Sequence, residues 1–189
     1  MNQDNHKIKD IIRIFDECFA TEYNTRLEKG DDYPIYLPAF LEEDGVKSER
    51  PYHVILFAHG YYSSALHEIS HWLVAGEVRR QLEDFGYWYE PDGRSAERQR
   101  EFESVEVKPQ AIEWVLATAA GFRYFASADN LSGNPGDNSA FKQAVYNQVK
   151  VYAERGYLPK RAETLRKALA KFYGTPDVID LTMFDLAKI

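Results

Sequence analysis

The chain has 189 residues, the size of one domain. Its hydrophobic share of 44% and charged share of 28% exclude both a disordered chain and one buried in a membrane. With 23 Lys and Arg against 30 Asp and Glu, the net charge of −7 excludes a general nucleic-acid binder and suits a cationic partner or target. The single cysteine, Cys18, permits no internal disulfide and fits a reducing compartment. Met1 to Asn5 is polar and no apolar stretch of signal-peptide type follows it, so a cytoplasmic protein that is not membrane-bound is expected.

Residues 7–20 carry Ile8, Ile11, Ile12, Phe15 and Phe19 at the spacing of one helical face, with Cys18 at its edge. Residues 21–32 are polar and read as turns. Pro34 to Phe40 and Tyr52 to Phe57 read as strands, joined by an acidic loop from Glu42 to Glu49. His59-Gly60-Tyr61-Tyr62-Ser63-Ser64 marks a turn, with the serines placed to cap a helix. That helix carries Leu66, Leu73, Val74 and Val78; it either reaches Leu82 or stops near Gly76. Arg79-Arg80 reads as its solvated face. Asp84 to Glu103 reads as a long loop with a short hairpin at Tyr87–Tyr89. Phe85 to Tyr89 is either a pocket wall or a satellite hydrophobic cluster.

A further helix is expected from Ser104 to about Ser127, with Pro109 in its first turns. The breakers from Asp129 to Asn138 form a loop, and two helices follow near 139–154 and 160–173. The expected fold is α+β, mostly helical with a small sheet, one domain over residues 1–189.

The chemistry lies in His67-Glu68-Ile69-Ser70-His71, an H-E-x-x-H motif on a predicted helix. Residues four apart lie above one another on one face, so both imidazoles can aim at one metal ion. Glu68 projects beside that face, within reach of a metal-bound water or a proton. A structural zinc site needs further thiolates, and one distant cysteine cannot supply them. An open catalytic site needs a third ligand, and a carboxylate is the natural one. Glu77 falls at the spacing of the extended H-E-x-x-H-x-x-G-x-x-H pattern, but Val74 stands where that pattern needs glycine. Glu103, Glu106 and Glu113 lie on or beside the next helix, which can pack against the first. Glu106 and Glu113 are two turns apart with Gln110 between them. Glu106 is the expected ligand; Glu103, Gln110 and Glu113 are expected around it or facing substrate. His59, at the end of the preceding strand, and Asp84 are expected near the metal as substrate or supporting contacts.

Several blocks together resemble the bacterial elongation factor P hydroxylase family: Phe57-Ala58-His59-Gly60, Ser64 to Trp72, Asp84 to Tyr89, Pro91-Asp92-Gly93-Arg94 and Phe102 to Ala111. The resemblance covers most of the chain, including Pro34 to Ala39. It implies an oxygen-dependent hydroxylase that modifies a lysine of elongation factor P after β-lysyl has been attached. It also implies a zincin-like fold and a non-haem metal, Fe(II), held by two histidines and one carboxylate, with O2 as co-substrate. By position His67 and His71 are the two histidines; the choice of Glu106 rests on the spacing above. Carboxylates such as Asp84, Glu103 and Glu113 suit a substrate carrying extra amines. A monomer is expected. The motif alone reads most simply as a zinc metallopeptidase, with Glu68 as general base; a non-enzymatic module whose histidines are structural is the third reading.

Overall fold

A computed structural model describes residues 6–43, 46–86, 96–127 and 138–189, with backbone alone at 41–43, 46–48 and 96–100. The fold is α+β: five helices dominate and a three-stranded sheet flanks them. Helix α1 (Ile8–Tyr23) buries Ile11, Ile14, Phe15 and Phe19. Strand β1 (Thr25–Lys29) follows at once, where the sequence predicts turns. Thr-Arg-Leu-Glu-Lys offers one apolar side chain, Leu27, so local pattern is silent. Parallel pairing with β5 (His53–Phe57) makes it a strand, in register from Thr25↔His53 to Lys29↔Phe57. Strand β2 (Ile35–Leu37) joins the other side of β5 antiparallel, giving the order β1-β5-β2. Within the predicted acidic loop, β3 (Phe40–Glu43) and β4 (Val46–Glu49) instead pair antiparallel.

After β5 the chain reverses through His59 and Gly60, both with positive φ, of 55° and 70°. The turn favours glycine for its positive φ; a Cβ there would meet only the end of the flexible Lys29 side chain, 2.9 Å from its Cε. Helix α2 (Tyr62–Val74) then begins without a side-chain cap. The predicted serine cap is not formed: Ser64 Oγ accepts the Ala58 N–H at 3.1 Å, tying the helix back to the strand end. Helix α2 ends before Gly76, and Val78 is exposed beyond it rather than on its apolar face. A short 3-10 turn follows at Arg79–Gln81, then a kinked turn over Glu83–Gly86.

Helix α3 (Ala96–Ala119) starts well before Ser104. Its first residues, Ala-Glu-Arg-Gln-Arg-Glu, are good helix formers with no apolar stripe, so periodicity misses them. Pro109 consequently sits in mid-helix, where it leaves the Val105 carbonyl without its usual donor. The helix ends before Gly121 rather than at Ser127. Helices α4 (Ser139–Arg155) and α5 (Lys160–Tyr173) match the expected ranges closely. The predicted hairpin at 87–89 and the loop over 129–137 lie outside the described residues. One continuous core joins α1, the sheet face, α2, α3, α4 and α5. At its centre Trp72, fully buried on α2, meets Phe15, Phe19 and Tyr23 of α1 at ring distances of 5.3, 4.9 and 5.5 Å. Burying that face of α2 turns its opposite face, which bears the histidines, toward α3.

Candidate metal centre

His67 and His71 project from α2 so that their Nε2 atoms lie 3.1 Å apart. Glu106 reaches in from α3, with Oε1 3.3 Å from His71 Nε2 and Oε2 3.9 Å from His67 Nε2. One ligand atom from each of the three lies within 4.8 Å of the other two. Donors held about 2.0–2.2 Å from a common ion stand roughly 3–3.5 Å apart. The two imidazoles and one carboxylate therefore fit a divalent cation such as zinc or non-haem iron with positions left open. The other ring nitrogen of His67, Nδ1, meets Glu113 Oε2 at 2.9 Å. A carboxylate there fixes the tautomer that leaves Nε2 as a ligand.

Electrostatics agrees with the geometry. Burial opposes a charge on Glu106, but the hydrogen bond and charge of His71, the charge of His67 and the Gln110 amide hold its carboxyl at about 2. Burial also opposes charge on His67, yet Glu113, Glu68 and Glu106 keep it well above the usual histidine range. Burial pushes Glu68 upward, partly offset by His67 and His71 and reinforced by Asp84 and Glu106. With no ion bound, the acidic groups thus favour a proton on His67; a divalent cation at its Nε2 would take that proton's place.

Asp84 approaches from the kinked turn. Its Oδ1 accepts the Tyr36 N–H at 2.7 Å, and both Asp84 and Phe85 take left-handed backbone, φ 42° and 59°. For non-glycine residues this is strained; the Tyr36 bond and the stacking of Phe85 on Tyr36 at 4.3 Å hold it. Phe85 is therefore core. Burial raises the Asp84 carboxyl, opposed by Tyr36 and His71. Glu103 lies one turn before Glu106 on α3, half-buried. Glu77 is exposed beyond α2. His59 faces Asp32, 3.9 Å from its Nδ1, and the Tyr61 ring.

A cavity of about 670 Å³ opens beside the histidines. His67, Glu68 and Glu113 line one end; Tyr62, Phe122 and Tyr124 are among its walls. Tyr61 and Phe125, also lining it, are 64% and 56% exposed and so stand at its mouth.

The family model for elongation factor P hydroxylase matches residues 14–184. A Haemophilus influenzae protein named elongation factor P lysine hydroxylase is 71% identical over 184 residues, 97% of this chain and 99% of that one. The chain belongs to the elongation factor P hydroxylase family.

In this member of the hydroxylase family, two sets of contacts that sequence reasoning missed surround the centre, although it had placed Gln110 beside the ligand. Arg161, at the start of α5, donates to the carbonyls of Trp72, Leu73 and Ala75 at 2.9, 3.2 and 2.6 Å. It caps the C-terminus of the histidine helix while its guanidinium lies 4.4 Å over Trp72. Arg80 adds a bond to Ala75 O at 2.9 Å, and Arg79 bonds Phe85 O at 2.9 Å, so this pair is no mere solvated face. The second group surrounds Gln110, which is fully buried. Its Nε2 donates to Glu106 Oε2 at 3.3 Å and to Ser127 O; its Oε1 accepts from Tyr124 OH at 2.9 Å and Ser127 N–H at 3.1 Å. Nothing in the sequence signals Arg161, Tyr124 or Ser127, because each acts through a contact distant in the chain. Among the described residues, no helix is long and apolar enough to cross a membrane.

Proposed function

We propose that this chain is an oxygen-dependent hydroxylase of a lysine in elongation factor P. Its metal, Fe(II), is held by His67, His71 and Glu106, and O2 is the co-substrate. The observation that carries the reading is the convergence of two imidazoles and one carboxylate, one of them, His67, also lining a cavity, in a chain whose relative is named a lysine hydroxylase. A metal with this ligand set and open positions supplies the activation of O2. The protein's own residues do the rest. Glu113 orients His67 through Nδ1. The aromatic walls exclude water from the reacting carbon and receive the aliphatic part of the side chain. Glu68, at the metal end of the cavity, carries a proton or receives an amine of the substrate. Asp84 acts on Glu68 and His71 without lining the cavity, Glu103 sits one turn before Glu106, and His59 stands beside the mouth next to Tyr61.

The cavity lies within the range of about 300–1,000 Å³ that houses whole ligands. A lysine extended by β-lysyl fits within that volume. The working unit in this reading is the whole chain as a cytoplasmic monomer, with Cys18 reduced and nucleic acid playing no part.

One oxygen atom of O2 enters the C–H bond and the other leaves as water, which takes two electrons and two protons from an external reductant. The test is intact mass analysis of β-lysylated elongation factor P after incubation with the protein, Fe(II), a small-molecule reductant and air. The expected result is a gain of one oxygen atom, lost without air and lost in His67→Ala and His71→Ala. Cleaved peptide in place of the gain would replace this reading with a zinc peptidase.

A further inference from the structure

We infer that Gln110 is a positioning residue that joins the cavity wall to the Glu106 carboxylate, so that filling the cavity tightens metal binding. The inference rests on the metal reading above.

A glutamine side chain has two N–H donors and an oxygen with two acceptor sites. All four are engaged: the donors by Glu106 Oε2 and Ser127 O, the acceptor by Tyr124 OH and Ser127 N–H. Gln110 is sealed from solvent, so no water replaces a bond that breaks. The wall itself, residues 122–127, belongs to no helix or strand and has no backbone ladder to hold it. Its ties to the body of the protein include the Gln110 amide and the stacking of Tyr124 on Trp114 at 5.4 Å. Phe122, Tyr124, Phe125 and Ser127 from this wall all line the cavity.

One planar amide therefore touches a metal-facing carboxylate on one side and the substrate-facing wall on the other. A side chain that packs against Tyr124 and Phe125 orders the wall. The ordered wall fixes the amide plane, and the amide holds Glu106 Oε2. Coupling of this kind is reciprocal: whatever tightens one site when the other is filled acts equally in reverse. A Gln110 that only filled space would contribute to stability and carry no such coupling.

The test titrates Co(II) into the metal-free full-length protein, followed by visible absorption, with and without β-lysylated elongation factor P. In the unaltered protein, elongation factor P is expected to tighten Co(II) binding about fivefold or more, the usual range of site-to-site coupling. Gln110→Ala is expected to weaken Co(II) binding about 10–100-fold, as loss of a group holding a ligand does, and to abolish the tightening. Tyr124→Phe keeps the amide's bond to Glu106. It is expected to leave Co(II) affinity near normal without elongation factor P and to reduce the tightening. It also serves if Gln110→Ala does not fold. Tightening that persists at full size in Tyr124→Phe and in folded Gln110→Ala overturns the inference, as does its absence in the unaltered protein. If the unaltered protein binds Co(II) through His67 and His71 and hydroxylates elongation factor P, either result removes this inference alone. If it binds no Co(II), the metal reading falls with it.

Discussion

Glu113 Oε2 lies 2.9 Å from Nδ1 of His67, on the ring edge opposite the nitrogen that faces His71 and Glu106. The carboxylates of α3 thus divide their work two turns apart: Glu106 faces both histidines directly, and Glu113 grips one of them from behind. Their substitutions should separate accordingly. Glu106→Ala removes a donor and should empty the site along with His67→Ala and His71→Ala. Glu113→Ala should weaken metal binding about 10–100-fold, since it only loosens a ligand's orientation. Metal content after dialysis, read by elemental analysis, gives the order. Greater loss in Glu113→Ala would move the third ligand to Glu113.

Much of this centre was legible before any coordinates. The i, i+4 histidines carry their own geometry, and the spacing of Glu106, Gln110 and Glu113 puts three polar groups on one helical face. Helix α3 starts earlier than its pattern suggests because its first turns hold no apolar stripe, while residues 104–119 are the helix that the sequence predicts. The parallel strand β1 was missed because its only local mark is Leu27; its partner lies 28 residues further along, with Leu27 paired to Ile55. The contacts of Arg161 and Ser127 were illegible for the same reason. A hydrogen bond to a carbonyl is indifferent to the identity of the residue that carries it.

Arg161 provides a stability test away from the cavity. Three carbonyls at the end of α2 share one guanidinium, and the cation also answers the negative end of the helix. Arg161→Ala should lower stability by about 2 kcal/mol, which for a chain of this size is a fall of about 4–8 °C in Tm. Arg161→Lys should recover only part of it, because an ammonium cannot match the planar fork. Thermal unfolding by circular dichroism measures both. An unchanged Tm in Arg161→Ala would show that α2 ends equally well without the cap.

At the cavity mouth, Tyr61 and Phe125 expose large aromatic surface that the core does not use. In the proposed reaction they meet the protein substrate around its lysine. Tyr61→Ala and Phe125→Ala should each raise KM for elongation factor P about tenfold, in line with loss of about 1–2 kcal/mol at an aromatic interface anchor. The value of kcat and the metal content should stay unchanged. A fall in kcat at constant KM would place these side chains in the chemical step instead.

The last prediction concerns pH and Arg166, which is buried on α5. Its Nη2 bonds Glu163 Oε1 at 2.7 Å and Asp177 Oδ1 at 2.5 Å, and its Nε bonds Glu163 Oε2 at 3.0 Å. This fork ties the chain after α5 back onto the helix. Burial opposes the charge on Glu163, but Arg166, the Leu158 N–H and Lys167 hold its carboxyl below the ordinary value of 4.5. A carboxylate lowered on folding adds stability that is fully present above its unfolded value. That contribution is lost as pH falls through the lowered folded value. Glu163→Gln removes the titration, so the Tm gap between it and the unaltered protein should be widest near neutral pH and close as the solution is acidified below 4.5. Calorimetry across that span reads the gap directly. A gap of constant size at every pH would mean that Glu163 stabilises α5 by shape and not by charge.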